Sequence, residues 1–432
     1  MVRRMRRRAA AGAGCVVTVV PLGRGSCPHH PRSCAGERME PMTALPADER
    51  WRGVAGGAML IGVAVMAAIY APQPLLAEIA AEFGRTALEA NLVVSMTTLG
   101  IACGVFPAAW IADRVGRGPV LAVSLGCGAL LTLVTAATPD WAVIVAARFL
   151  AGLLMSGVLV SAVVWTGAAV PRLRRARVAA AYVSGTTIGG MSGRIAAGLG
   201  AEAWGWRAGI VLVDVLVVLG GVCGVIAVTM LARRRPSEAP AATGGTRVVV
   251  SWTVRARLYA IAFFAMAAFI GVYNAIAFRM THPPFSLGVG LTSMLFLGYI
   301  AGTVTSVRAG ALIDRIGVRA TILVGIALEL AGILATLIES LLAIIPGLLL
   351  MAAGFFVLHA AASATVPAVS PRPTVGSAWY TLWYYAGSSA GSLLLGAAWD
   401  AGRWPAVGAL AAAMALAAAV SAATLPSRPG GR

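Results

Sequence analysis

The sequence predicts an all-α membrane protein of about twelve transmembrane helices in two pseudo-symmetric six-helix bundles. Three observations lead there. The chain is 59% hydrophobic and only 12% charged, where soluble globular chains carry about 25% charged residues. The stretch Ala109-Trp-Ile-Ala-Asp113-Arg114-Val-Gly116-Arg117-Gly118 returns as Gly310-Ala-Leu-Ile-Asp314-Arg315-Ile-Gly317-Val-Arg319. Both copies separate one long apolar segment from the next, as expected of a duplicated bundle. Finally, the arginines gather at alternate junctions between apolar segments.

About twenty apolar residues cross a bilayer as a helix, and about twelve segments qualify. In the first half they fall near 53–74, 91–112, 118–137, 141–165, 178–201 and 208–231. In the second they fall near 258–279, 289–308, 319–338, 341–363, 375–398 and 404–424. Residues 1–50 are rich in Arg, Pro and Gly without helical periodicity. They read either as a disordered basic cytoplasmic tail or as the product of a start codon assigned too early. The bundles are then 51–232 and 258–432, the second ending in a short tail, joined by a cytoplasmic linker over 233–257. Met1 to Arg8 is basic, but Ala9 to Pro21 is a weak apolar run without a clear cleavage site, so insertion is expected to rest on the first span.

Orientation follows from the positive-inside rule. With both termini cytoplasmic, roughly twenty-seven arginines lie inside against about four outside, namely Arg85, Arg207, Arg279 and Arg403. The formal charge of +18 comes entirely from arginine, since the chain has no lysine. It forms no basic face, so nucleic acid is not an expected partner. The six cysteines make no disulfide framework: Cys103, Cys127 and Cys223 sit in apolar segments as small packing residues. Cys27-Pro-His29-His30-Pro-Arg-Ser-Cys34 has zinc-binding residue types without a zinc spacing, and no metal or cofactor is expected. No nucleophile elbow, P-loop or soluble catalytic domain is visible, so the chain does not read as an enzyme.

The spans, the basic central loop and the Asp-Arg-x-Gly turns after spans two and eight resemble the major facilitator superfamily over about residues 52–425. That family's turn runs Gly-x-Leu-Ala-Asp-Arg-x-Gly-Arg-Lys. The second copy keeps Gly310, Leu312, Asp314, Arg315, Gly317 and Arg319. The first keeps Asp113, Arg114, Gly116 and Arg117, with Ala109 and Gly118 at its two ends. Arg148-Phe-Leu-Ala-Gly152 is similar to the family's span-four motif. Tyr70-Ala-Pro-Gln73-Pro74, Gly185-Thr-Thr-Ile-Gly189-Gly190-Met-Ser-Gly193-Arg194, Tyr273-Asn274, Gly354-Phe-Phe-Val-Leu-His359 and Tyr384-Tyr385-Ala-Gly387 resemble one bacterial branch of arabinose-efflux-like permeases and drug:proton antiporters. The span-five segment lacks the Gly-Pro step usual in exporters.

The resemblance implies a monomeric multi-pass transporter in the bacterial cytoplasmic membrane that moves a small-molecule solute by rocking two bundles about a central cavity. Small residues four apart allow close helix approach. Gly100 and Gly104, Gly298 and Gly302, Gly185, Gly189 and Gly193, and Gly387 and Gly391 are expected where the bundles meet. Asp113 and Asp314, with Arg114, Arg117, Arg308, Arg315 and Arg319, are expected to hold an inner gate by pairing with arginine or a helix N-terminus. The cavity is expected to be lined by Tyr70, Gln73, Arg148, Asn274, His359 and Tyr384, which suits a moderately apolar or zwitterionic solute. Tyr70 and Gln73 read equally as interfacial anchors, and Arg148 as either an anion site or a structural bridge. Protons are the expected coupling ion, with His359, Asp214 and Glu329 as candidate carriers. The function expected is proton-coupled export of drug-like or metabolite-like compounds; the alternative, proton-coupled uptake of a sugar or amino acid, shares all these features.

Overall fold

The computed structural model describes residues 50–232 and 251–426. The tail, the Cys27 to Cys34 cluster and most of the linker lie outside the described residues. Every regular element described is helical. Ten segments are long and apolar enough to cross a membrane. One of them, Pro373–Ala423, holds two spans, because Gly402 (φ −154°) and Arg403 (φ 52°) leave the helix between them. A further helix, Arg172–Trp204, has the length of 33 residues but is diluted by glycine, serine, threonine and arginine. Those two additions complete twelve spans.

Span 1 is Arg50–Tyr70, and it continues past a 3-10 turn, Gln73–Leu75, into Leu76–Phe83. Span 2 is Leu92–Val115, entered through the turn Ala87–Ala90, and span 3 is Arg117–Ala137. Spans 4, 5 and 6 are Trp141–Ala168, Arg172–Trp204 and Trp206–Leu231. Span 7 is Trp252–Thr281, and span 8 is built in pieces from Val289–Met294 to Ala309–Ile316. Span 9 is Val318–Ala335 and span 10 Leu341–Val369. Spans 11 and 12 occupy 373–401 and 404–423. Span 7 therefore begins ahead of the expected end of the linker, with the Trp252 ring 6.1 Å from that of Tyr259 two turns on.

Local chemistry explains several ends. Thr86 and Glu89 form a reciprocal capping box at the entry to span 2, which satisfies two otherwise orphaned N–H groups. Asp140 accepts from the backbone N–H of Ala142 at 2.7 Å and starts span 4. In the repeated turns, Gly116 has φ 102° and Gly317 φ 83° with extended ψ. That region is essentially closed to residues with a Cβ, so the glycine of each Asp-Arg-x-Gly turn is a backbone requirement. Six crossings separate the turns, which places both at one end of the molecule, here the motif end; the opposite end is the far end.

Within each half the helices meet through glycine. A methyl on Gly185 or Gly189 of span 5 would lie 2.1 Å from the Met59 or Val63 carbonyl oxygen of span 1. On span 11, Gly387 and Gly391 stand in the same way against Phe263 and Ala267 of span 7. Gly100 and Gly152 lock spans 2 and 4 together, and Gly302 packs against Phe356 of span 10. The expectation that these glycines line the boundary between bundles is corrected: they close contacts inside a bundle. Spans 2 and 11, and spans 5 and 8, do meet across the boundary. They do so by other means, including the Phe106 and Trp379 rings at 5.2 Å. Cys103, Cys127 and Cys223, expected in packing, are exposed.

Candidate functional site

Polarity is concentrated along the boundary between the halves. Pro72 and Pro74 break span 1 into the turn that holds Gln73, which is fully buried. From there Gln73 Nε2 donates to Asn274 Oδ1 of span 7 at 2.5 Å. Asn274 Nδ2 donates to Asn91 Oδ1 at 2.7 Å and to Ser392 Oγ of span 11 at 2.9 Å. Arg194 of span 5 donates through Nε to Gln73 Oε1 at 2.5 Å and through Nη1 to the Gly190 carbonyl. Buried amides are costly unless paired, and this chain pairs them across the two halves, so the network holds the halves together.

Two carboxylates close the far end above it. Asp400, at the end of span 11, accepts from the Ala87 and Leu88 N–H groups at 2.9 and 2.8 Å, where the chain enters span 2. Glu202, at the end of span 5, accepts from Gly290 N–H at 3.0 Å in the first turn of span 8. An acid at a helix start satisfies orphan donors and meets the positive end of the helix dipole. The two clasps join the two span pairs that cross the boundary. Nearby, Gly198 of span 5 leaves room for Ser293 of span 8, and Gly396 of span 11 for Asn91.

The motif end is different. Asp113 pairs with Arg117, four residues on, at 2.6 Å, its one ion pair among the described residues, and it is exposed. Arg117 also donates to the Val160 carbonyl of span 4 at 2.8 Å, so this pair braces one bundle. Arg114 lies over the Trp110 ring at 3.7 Å. Arg308, Gly310, Asp314 and Arg315 are exposed, Gly317 and Arg319 half-buried, and no ion pair among the described residues joins Asp314 to Arg308. The halves are thus clasped at the far end, and the repeated acids do not clasp them at the motif end.

Between the ends, aromatic side chains gather at the boundary and would form the wall of a transport chamber. The Arg194 guanidinium stands 4.3 Å from the Tyr70 ring, 4.9 Å from Tyr299 and 5.0 Å from Phe296. His359 Nδ1 is 3.0 Å from the Tyr380 hydroxyl, and its ring is 4.8 Å from Tyr384. Both His359 and Tyr384 are half-buried. Tyr70, Gln73, Asn274, His359 and Tyr384 are accordingly gathered at the boundary. Arg148 is not among them. It is fully buried and donates to the carbonyls of Val93 at 3.0 Å and Ile69 at 2.7 Å, bridging spans 1, 2 and 4. Asp214 and Glu329 also lie inside a bundle, on spans 6 and 9, with no hydrogen-bond partner for either carboxylate oxygen.

Two six-span halves, a polar boundary and acid clasps at one end describe a rocking transporter fold, and the comparisons with known proteins decide the family. The sequence profile described as Major Facilitator Superfamily matches residues 58–305. The chain belongs to the major facilitator superfamily. As a member it is a membrane transporter of small-molecule solutes. It is 30% identical over 356 residues to the inner membrane transport protein YnfM of Escherichia coli K12, covering 82% of this chain and 85% of that one. Among solved structures it resembles the nucleoside transporter NupG, with a TM-score of 0.63 at 13% identity over 86% of this chain and 99% of that one. The human organic anion transporter MFSD10 gives a TM-score of 0.62 at 19% identity, covering 88% and 100%. At those identities the solved structures speak for the major facilitator fold alone.

Proposed function

We propose that this protein exports small organic compounds by alternating access, driven by proton exchange. It would act as a monomer in the bacterial inner membrane with both termini cytoplasmic. The observation that carries this reading is the unlike joining of the two ends: Asp400 and Glu202 clasp the far end, while at the motif end the spans meet through the Phe106 and Trp379 rings and, among the described residues, Asp113 and Asp314 make no ion pair across the boundary. With the motif end cytoplasmic, alternation would release the acid clasps on one side and the ring contact on the other in turn. The polar network through Gln73 and Asn274 then has to break and re-form in every cycle, which suits residues that make hydrogen bonds rather than permanent ion pairs. For coupling, His359 is favoured over Asp214 and Glu329. It alone of the three is a half-buried group beside the chamber, and an imidazole is the side chain suited to titrate near neutral pH.

Inside-out vesicles holding an acidic interior test this directly. Across a panel of cationic, neutral and anionic aromatic compounds, at least one is expected to give solute-dependent recovery of a quenched pH dye. His359→Ala is expected to lose that recovery while keeping solute counterflow. Silence across the panel with folded protein present contradicts export. Counterflow confined to a sugar or amino acid, with proton entry alongside it, would mark an uptake symporter instead.

A further inference from the structure

We propose that the chamber binds an amphipathic organic anion, an aromatic carboxylate or its sulfonate equivalent, whose charge is received by Arg194. This deepens the transporter reading above and rests on it. Arg194 is 1% exposed, and a charge held away from water calls for a partner. Its two protein acceptors, Gln73 Oε1 and the Gly190 carbonyl, are both uncharged. Among the described residues no carboxylate pairs with it. A guanidinium carries five N–H donors, so these two bonds leave three, both N–H groups of Nη2 and one of Nη1, without an acceptor among the described residues.

The neighbours of Arg194 are also short of acceptors. The hydroxyls of Tyr273 and Tyr299 are buried and without a hydrogen-bond partner among the described residues, while those of Tyr70 and Ser388 face each other. Tyr70 and Tyr299 flank the guanidinium directly, the Tyr273 ring is 5.0 Å from that of Tyr299, and Ser388 stands beside Tyr70. Buried hydroxyls left unpaired are uncommon and call for an explanation. Here a cation and neighbouring hydroxyls can all donate to one group, and no charged acceptor lies among them in the described residues. A carboxylate is the complementary group, since it accepts through both oxygens and donates through neither.

The rest of the chamber sets the ligand's other end. Tyr384 and His359 present faces next to Phe355, whose ring is 5.8 Å from His359 and 6.4 Å from Tyr384. An aromatic or broad apolar body would meet ring faces there, whereas an organic cation would be repelled by the guanidinium. The contrast with Arg148 matters. That arginine spends its donors on the Val93, Ile69 and Ala68 carbonyls inside one bundle, and is a brace.

The test is equilibrium binding to purified full-length protein in nanodiscs, followed by thermal shift and by competition against radiolabelled salicylate. The probes are benzoate, salicylate, 2-naphthoate and 2-naphthalenesulfonate, with benzamide as neutral and benzylamine as cationic counterparts. The anions are expected to stabilise the protein and to compete, and benzamide and benzylamine to do neither. Arg194→Gln is expected to weaken the best anion by about 30-fold or more, with Arg194→Lys in between. Should Arg194→Gln fail to fold, Tyr273→Phe/Tyr299→Phe keeps the charge and removes two donors; a loss of about tenfold is expected there. Equal stabilisation by benzamide or benzylamine, no binding by any anion, or unchanged affinity in Arg194→Gln with unchanged affinity in the double variant would overturn the proposal. Binding and transport fail separately. An anion that binds through Arg194 but never crosses proteoliposomes leaves this inference standing and removes the transporter reading. A transported cation with no anion binding does the reverse.

Discussion

Gly152→Ala and Gly189→Ala are expected to be among the most damaging single-atom additions in the chain, each costing about 2–4 kcal/mol of stability in detergent. A methyl on Gly152 would lie 1.9 Å from the Thr97 carbonyl oxygen, and one on Gly189 2.1 Å from that of Val63. These obstacles are backbone atoms, so no rotamer change relieves them and the helices themselves must separate. Close-packed interiors tolerate such insertions poorly. Gly126 and Gly220 provide the control, since nothing lies within 4 Å of a methyl built on either. Alanine there removes a helix-weakening glycine and is expected to be neutral or slightly stabilising. Thermal unfolding of the four purified variants separates the pairs; a similar melting temperature for all four would show that spans 1 and 5, and spans 2 and 4, are not packed as described.

The second large effect concerns the far-end clasps. Replacing both Asp400 and Glu202 with alanine is expected to raise the population open at the far end by about fivefold or more. A carboxylate at a helix N-terminus contributes about 0.3–1 kcal/mol when exposed and up to about 2 when partly buried. Both carboxylates are exposed while the N–H groups of Ala87 and Gly290 that they meet are buried, so the pair together falls between these limits. The effect adds directly to the difference between the two states because the clasps exist only in one of them. Ser293→Cys reports it: Ser293 is fully buried under Gly198 in the clasped state. In a background without the six native cysteines, its labelling by an impermeant maleimide is expected to accelerate about fivefold or more in the double variant. An unchanged rate would mean the acids cap their helices without biasing the equilibrium.

Much of this was legible in the amino-acid sequence. Apolar length gave the spans, and the repeated Asp113 and Asp314 turns gave the duplication, with Gly116 and Gly317 explained by a backbone that only glycine adopts. The polar residues at Tyr70, Gln73, Asn274, His359 and Tyr384 were recognisable because polarity in a span needs a reason. Which of two lone arginines faces the chamber was not legible. Arg148 and Arg194 each sit inside a span, and the pattern along the span does not tell which buried face meets the other half, so only the packed helices separate brace from chamber. The glycine rows misled for a related reason: spacing shows that a helix is approached closely but not by which neighbour. Asn91, Glu202 and Asp400 were passed over because residues at span ends read as solvated. Glu202 and Asp400 meet backbone groups some 88 to 313 positions away and Asn91 meets the Asn274 side chain 183 positions away, and no local pattern encodes those.

The most direct measurement takes the far end out of play. Glu202→Cys and Gly290→Cys bring two sulfur-bearing carbons into disulfide range, since a Cβ on Gly290 would lie 3.3 Å from that of residue 202. With Met66→Cys on span 1 as reporter, a half-buried position facing Gly190 beside Arg194, in the background free of native cysteines, reduced protein is expected to be labelled by impermeant maleimide from both sides of the membrane. Once the 202–290 pair is oxidised, labelling is expected from the motif side alone, and reduction should restore the other side. Unimpeded labelling of residue 66 from the far side with the cross-link complete would contradict a chamber that opens to one side at a time.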